Sequence, residues 1–453
     1  MEQKIRISQC MIVKNEENNI ERALSWGKDI MWEQIVVDTG SEDRTAVIAE
    51  KMGAKLFHFD WIDDFSAAKN YAARQAGGDW IVFLDADEYL SEEDAKKLVS
   101  LLSGLSGQRE NAVIASWIQT DGSERLLSGT GEDSFQNRLT VKADGSRGSA
   151  LAGTVVRIFR NQPGLCYQGR IHEQLFLEGG EVLCFDASDT LTVWHTGYSP
   201  EEMAEKKKTE RNIRLLKKEV EKRPDDYKML SHLGGSYFQQ GEYEEAARWY
   251  EKAVFHMPKV QKEESIHDAA VFKNLLLIYS KSEREDLLQK AYTEGVRRFP
   301  KEADYDYMAG RYYVGEKQFQ KAAVHLQRAI GLLDQYGSDR KSTLLASGLL
   351  EAWEMLVLCC YENGDFKSCV NFAVMLLKAG PYRPETLKVL LKVFRDEEAQ
   401  GKATAAKAPQ VLAFLGKIYD LKCAQQGQFV LKAAQAVKYE ELVRSILVEH
   451  SEG

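Results

Sequence analysis

The 453-residue chain has no excess of basic charge: 60 Lys and Arg stand against 69 Asp and Glu, a net charge of −9. A partner built from phosphates, DNA or RNA, needs a basic face, so this balance argues against nucleic acid. Cysteine is sparse, with seven residues at 10, 166, 184, 359, 360, 369 and 423, none of them in a CxxC pair or at zinc-site spacing. Reduced, mostly buried thiols are the expectation. No stretch reaches the roughly 18 apolar residues of a membrane span. The apolar run within residues 1–13 is too short for a signal peptide. A cytoplasmic protein without stable membrane insertion is expected. Neither GxGxxG nor GxxxxGK[ST] occurs, so no Gly-rich loop is on hand to cradle a diphosphate.

What is present is ordinary globular composition, 44% hydrophobic and 28% charged, in a length that suits two or three domains of about 100–200 residues each. The charge is uneven. Residues 1–200 carry a balance of −11 and the remainder +2. An acidic half that has to hold a diphosphate would need a cation to bridge the repulsion. Over the first hundred residues strand and helix patterns alternate: strands at 5–13, 34–38, 55–59 and 80–84, helices at 16–26, 43–52, 66–76 and 92–102. Such alternation predicts a mostly parallel sheet with helices on both faces, whose ligands gather at the carboxyl ends of the strands. From 112 to 195 short strands (113–117, 154–159, 190–194) are separated by Gly-containing loops, and 128–153 reads as a long functional loop or lid.

After residue 200 the pattern is helical. A charged helix at 201–221 looks like a connector, closed by Arg223-Pro224-Asp225-Asp226. Then a repeat begins. Leu233, Gly234, Tyr237, Gly241, Ala246, Tyr250, Ala253 and Pro258 fit the tetratricopeptide pattern, with small residues where two helices cross and aromatics filling gaps. Further copies carry Leu275, Tyr279, Tyr292 and Pro300, then Ala309, Gly310, Tyr313, Ala322 and Ala329, then more loosely Trp353, Leu356, Tyr361 and Gly364. The domain limits expected are 1–200 for the α/β part, 201–226 for the connector, 227–380 for the repeats and 381–453 for capping helices. Stacked repeats make a superhelix with a concave face for peptide or protein segments, or for another copy of the chain.

The strongest chemical signal is Phe83-Leu84-Asp85-Ala86-Asp87-Glu88, an apolar strand running into two carboxylates two residues apart. Side chains at that spacing share a face, and paired carboxylates at a strand end suit Mn²⁺ or Mg²⁺.

The setting of this motif resembles the family 2 glycosyltransferases of the GT-A type, over about residues 5–200. Cys10-Met11-Ile12-Val13-Lys14-Asn15-Glu16-Glu17 looks like that family's first strand and loop, Ile35-Val36-Val37-Asp38-Thr39-Gly40-Ser41 like its second, and Asp64-Phe65-Ser66-Ala67-Ala68-Lys69-Asn70 like its nucleotide-side helix start. The resemblance implies an α/β GT-A domain, a Rossmann-like mixed sheet, followed by an all-α tetratricopeptide superhelix. It implies a UDP-sugar donor held by Ile12, Val13, Asn15, Glu16, Asp38, Lys69, Asp85, Ala86, Asp87 and Arg157. Asp38 faces the base by that analogy, while its other reading is a helix-cap neighbour. Lys69 contacts the nucleotide or lies on a solvated face. The metal ligands implied are Asp85, Asp87 and His195, the last being otherwise a satisfied core histidine. Arg157 and Arg160 bind phosphate or solvate a strand edge. In Gly169-Arg170-Ile171-His172-Glu173, Glu173 is the candidate base of an inverting displacement, with His172 as its understudy; the alternative is a surface glutamate that caps the next segment.

The QxxRW motif of processive synthases is absent, which favours a single transfer. The domain order looks like that of bacterial peptide and protein glycosyltransferases, among them the S-glycosyltransferases of the sublancin type, which modify Cys or Ser of bacteriocin peptides. The reading that follows is a metal-dependent, inverting transfer of one sugar to a Ser, Thr or Cys of a peptide or protein held by the repeats, which could also build a homodimer. Two alternatives stand beside it: transfer to a cell-envelope or lipid-linked glycan, and an inactive sugar-nucleotide-binding scaffold.

Overall fold

The computed structural model describes residues 5–120, 125–126, 137–141, 147–196, 202–259, 266–337, 343–401 and 406–451. The chain divides into two compact units, Met1–Met257 and Pro258–Gly453.

The first unit opens with β1 (Ile7–Val13), α1 (Ile20–Ser25), β2 (Glu33–Asp38), α2 (Thr45–Lys51), β3 (Lys55–His58), α3 (Phe65–Gln75), β4 (Trp80–Phe83), β5 (Glu88–Leu90) and α4 (Glu92–Gly104). β1 and β4 are buried along nearly their whole length, as strands covered on both faces must be. Two of these helices start at side-chain caps. The Asp64 side chain accepts from Ala67 N at 2.9 Å, and Ser91 Oγ accepts from Asp94 N at 3.0 Å. Then come β6 (Ala112–Thr120), β7 (Arg125–Leu126), β8 (Asn137–Val141), β9 (Arg147–Arg160), β10 (Leu165–Gln168), β11 (Gln174–Leu177), β12 (Cys184–Asp186) and β13 (Thr192–Thr196).

The main sheet runs β3-β2-β1-β4-β9-β6-β13-β5. Its first four strands are parallel. β9 then enters antiparallel to both β4 and β6, β13 is parallel to β6, and β5 closes the edge antiparallel to β13. This is the mixed GT-A sheet. Within the stretch expected to be one long loop, 128–136 and 142–146 lie outside the described residues. Residues 137–141 form β8, and 147–153 extend β9 well beyond the short strand expected at 154–159.

The first unit also takes in three helices: α5 (Glu202–Lys222), α6 (Tyr227–Gln239) and α7 (Tyr243–His256). α6 is capped by Asp226, which accepts from Lys228 N and Met229 N. α6 and α7 cross at Gly234, where an added Cβ would lie 2.8 Å from Tyr250 Cδ1.

The second unit is helical among its described residues: α8 (Ile266–Lys281), α9 (Glu285–Arg298), α10 (Ala303–Gly315), α11 (Phe319–Tyr336), α12 (Thr343–Glu362), α13 (Phe366–Ala379), α14 (Pro384–Ala399), α15 (Ala408–Leu415), α16 (Ala424–Ala436) and α17 (Glu440–Ser451). Gly310 of α10 meets Leu326 of α11 as closely as Gly234 meets Tyr250, at the same offset along the chain. That is the packing signature of a repeated helix pair. One sequence expectation needs amending. Leu344–Glu362 is long and apolar enough to cross a membrane, with mean hydropathy 1.5. Two of its carboxylates explain its place instead: Glu351 accepts from Tyr307 Oη, and Glu354 accepts from Arg383 Nη1 at 2.9 Å, so the helix is tied into the repeat array.

Candidate active site

The carboxyl ends of β1 and β2 lie side by side, with Val13 opposite Asp38. Past them the chain makes two interlocked turns. Val13 O accepts from Thr39 N (2.9 Å) and Thr39 Oγ1 (3.0 Å). Asn15, at φ 58°, donates its N–H to Ser41 Oγ and accepts from Glu42 N at 2.8 Å. Glu16 N donates to Thr45 Oγ1 at 2.7 Å. Asp38 is buried and accepts from Gly40 N and Ser41 N. Gly40 sits at φ +105°, which its lack of a Cβ permits. Ile12, Val13, Asn15, Glu16 and Asp38 thus form one corner.

Beside this corner, β4 delivers Asp85. The antiparallel register of β9 against β4 (Val82 opposite Ile158) puts Arg157 next to it. Arg157 Nη2 donates to Asp85 Oδ2 and to Glu88 Oε1, both at 2.7 Å. Burial acts to raise the Asp85 carboxyl, but the charges of Arg157 and Lys69 outweigh it and hold the pKa at about 2. Glu88, only 1% exposed, is instead raised by burial. It also accepts from Trp117 Nε1 (3.0 Å) and from the Asp85 N–H (2.9 Å), so it braces the turn that carries both aspartates. Arg157, half-buried, is held well above its ordinary value by Asp85 and Glu88, against the effect of burial. It faces the cleft chemistry, not a strand edge. Arg160 differs, donating to the carbonyls of Leu105 and Glu110 and stacking on Trp80.

Asp87 leaves the same turn toward β13. The pairing of His195 with Glu88 across β13 and β5 brings the imidazole Nε2 to 3.1 Å from Asp87 Oδ2. Burial favours the neutral ring, but the Asp87 bond and charge raise its pKa above the ordinary histidine value. Its Nδ1 is buried without a hydrogen-bond partner among the described residues, and its ring lies 4.9 Å from that of Trp117. The Asp87 carboxylate is of the kind that suits Mn²⁺ or Mg²⁺, and the imidazole Nε2 beside it, when neutral, would be a second ligand. Among the described residues no three acidic, His or Cys side chains surround a common point. Asp87 and His195 are brought together, while Asp85 is drawn to Arg157 and Lys69. Ala86, between the aspartates, is buried.

Lys69 is the link to the far side of the cleft. It is 3% exposed, so it is no solvated-face lysine. Its Nζ lies 3.8 Å from Asp85 Oδ1 and 2.5 Å from Glu173 Oε1, over the rings of Phe83 and Tyr167. Glu173 is accordingly not a surface cap. His172, its neighbour, has φ 52° and stacks on His232 of α6. Sequence reasoning missed Glu88, Tyr167 and His232. A glutamate opening the buried strand Glu88-Tyr89-Leu90 was the one available signal for the first. Nothing in the repeat pattern singles out His232.

The comparisons with known families bear on this sheet and the residues at its carboxyl edge. Residues 8–136 match the model for glycosyl transferase family 2, and residues 228–260 match a tetratricopeptide repeat model. The N-terminal domain is a family 2 glycosyltransferase domain, and repeats follow it. A tetratricopeptide repeat-containing protein of Synechococcus elongatus is 31% identical over 289 residues, 59% of this chain and 64% of that protein. The SPbeta prophage-derived glycosyltransferase SunS of Bacillus subtilis is 27% identical over 270 residues, 59% of this chain and 58% of that one. The chain thus spans about three fifths of the length of these relatives. Among solved structures, the S. aureus TarS fragment 1–349 in complex with UDP is 16% identical with a TM-score of 0.34, covering 64% of this chain and 91% of that one, a likeness too slight to carry an argument.

Proposed function

We propose that the protein transfers one sugar from a UDP-sugar to a Ser, Thr or Cys side chain of a peptide or protein held by its helical repeats, with inversion at the anomeric carbon. The observation that carries this reading is Lys69, whose one ammonium joins Asp85 on the donor side to Glu173 on the opposite side. The two motifs are parts of one site.

In this reading Asp38 accepts from the base, and the turns at Val13–Glu16 pack beside it. Asp87 and His195 would hold a divalent cation, which would supply positive charge to stabilise a leaving nucleoside diphosphate. Arg157 and Lys69 balance the carboxylates there and meet phosphate oxygens. Glu173 takes the proton from the acceptor as its oxygen or sulfur attacks. The similarity to the glycosyltransferase SunS supports sugar transfer, and the repeats supply a surface for a peptide or protein acceptor. The cytoplasm is the proposed site of the reaction; the limits 1–200, 201–226, 227–380 and 381–453 are proposed as divisions of function, while the compact units part after Met257; and a homodimer through the repeats belongs to the same proposal.

The test mixes the protein with Mn²⁺ and a panel of UDP-, GDP- and dTDP-sugars and follows nucleoside diphosphate release with and without EDTA. EDTA-sensitive release from one UDP-sugar is expected. Release that ignores EDTA would remove the metal from the scheme. Release from a GDP- or dTDP-sugar alone would reassign the Asp38 corner, and an α-linked product from an α-linked donor would exclude inversion.

A further inference from the structure

Glu173 sits on a loop that the sheet alone does not hold. From α3, Phe65 N donates to Arg170 O at 2.9 Å and Ser66 Oγ to Gly169 O at 2.5 Å. The Arg170 guanidinium donates to Asp63 O and reaches Glu219 of α5 at 3.5 Å. Ile171 is buried in a cluster with Leu216 of α5, Leu230 and Leu233 of α6, and Ala253 of α7. His172 then turns into the left-handed region, and its ring lies flat on His232, centroids 3.7 Å apart and planes within 11°. A residue with a Cβ stays in that backbone region only where its surroundings over-determine it. Here they do so from two directions: the buried Ile171 on one side and the stacked ring on the other. The very next residue carries the carboxylate that meets Lys69 at 2.5 Å.

We infer that His232, on the first repeat helix, is a positioning residue for Glu173. By stacking on His172 it fixes the left-handed turn, and the turn fixes the direction in which Glu173 leaves the backbone. The first repeat pair therefore completes the catalytic site as well as opening the array. This rests on the glycosyltransferase reading for its kinetic consequence, but not for its structural one.

The experiment uses the full chain with His232→Ala and with His232→Phe, which keeps a flat ring. Hydrogen exchange is followed in the peptide that covers residues 169–173, and turnover is followed with whichever sugar of a UDP-glucose, UDP-galactose and UDP-N-acetylglucosamine panel the unaltered protein consumes. In His232→Ala, exchange in the loop rises about tenfold while the sheet stays protected. Its kcat falls about 100-fold, as displaced catalytic groups do, with the donor KM unchanged. His232→Phe restores both. Unchanged loop exchange in the alanine variant overturns the inference, as does a loss confined to KM or a phenylalanine variant no better than alanine. If alanine costs the fold, His232→Gln, polar but without a ring, replaces it. An unaltered protein that consumes no donor defeats the functional reading, and the exchange arm still decides whether His232 holds the loop.

Discussion

Asp85 in the first unit and Asp304 in the second are both surrounded by partners, yet only one of them is open. Asp304, on α10, is fully buried. It accepts from Lys273 Nζ at 2.6 Å and from the N–H groups of Leu344 and Leu345 at 3.2 and 2.8 Å, so it caps the start of α12 from outside. Its neighbour Asp306 is closed in by Tyr292 Oη, His325 Nδ1 and Arg328 Nε. Asp85 has Arg157 and Lys69 but keeps 40% of its side-chain surface exposed. Buried charge by itself does not mark chemistry. In the helical unit it ties one helix to the next. In the sheet unit the partners gather the charges and leave them facing the cleft.

That contrast can be broken at several points. Asp87→Ala should give the largest effect on activity, a loss of about 10³-fold or more in UDP release, because it removes one of the two groups proposed to hold the cation. Circular dichroism should show an unaltered fold, since Asp87 lies past the end of β4 and not in the core. Normal turnover would return Asp87 to a structural role. Asp304→Ala should do the reverse. It removes the acceptor of two helix N–H groups and one of the carboxylates that meet Lys273, and should cost about 3 kcal/mol in denaturant unfolding. UDP binding measured by calorimetry should stay as in the unaltered protein.

The smallest expected effect is one of pH, on the helical unit. Hydrogen bonds from Arg297, and then Arg298, hold the Glu294 carboxyl at about 2 instead of its ordinary 4.5. A depressed carboxylate stabilises the fold in full above the unfolded value and loses that contribution as the pH falls through the folded one. The difference in unfolding midpoint between the unaltered protein and Glu294→Gln should therefore be constant above a pH of about 4.5 and vanish towards about 2. A difference that does not change across this window would show that the arginines add nothing specific to the carboxylate.

The parallel half of the sheet was legible because its strands are short apolar runs separated by helical stretches, the third of them opened by the cap Asp64. The repeat pair was legible through Gly234 and Tyr250, a small residue and the aromatic it makes room for. β9 was only partly legible. Its first half, Arg147-Gly148-Ser149-Ala150, carries loop-forming residues, and its pairing with β4 and β6 is long-range. The acidic motif announced Asp85 and Asp87, but not that Arg157 would divide them by drawing one away. That depends on the register of a strand some seventy residues on. His232 was beyond reach for the same reason: its partner lies on a loop sixty residues earlier, and helix periodicity says nothing about what a helix touches.

The seating of Ile171 among α5, α6 and α7 bears on how such chains could be recombined. Grafting the array onto another catalytic domain by cutting near residue 200 would strip the Gly169–Glu173 loop of its floor. The seam that leaves the loop intact falls after Met257, so a donor domain and its first helix pair would have to travel together as a single heritable cassette.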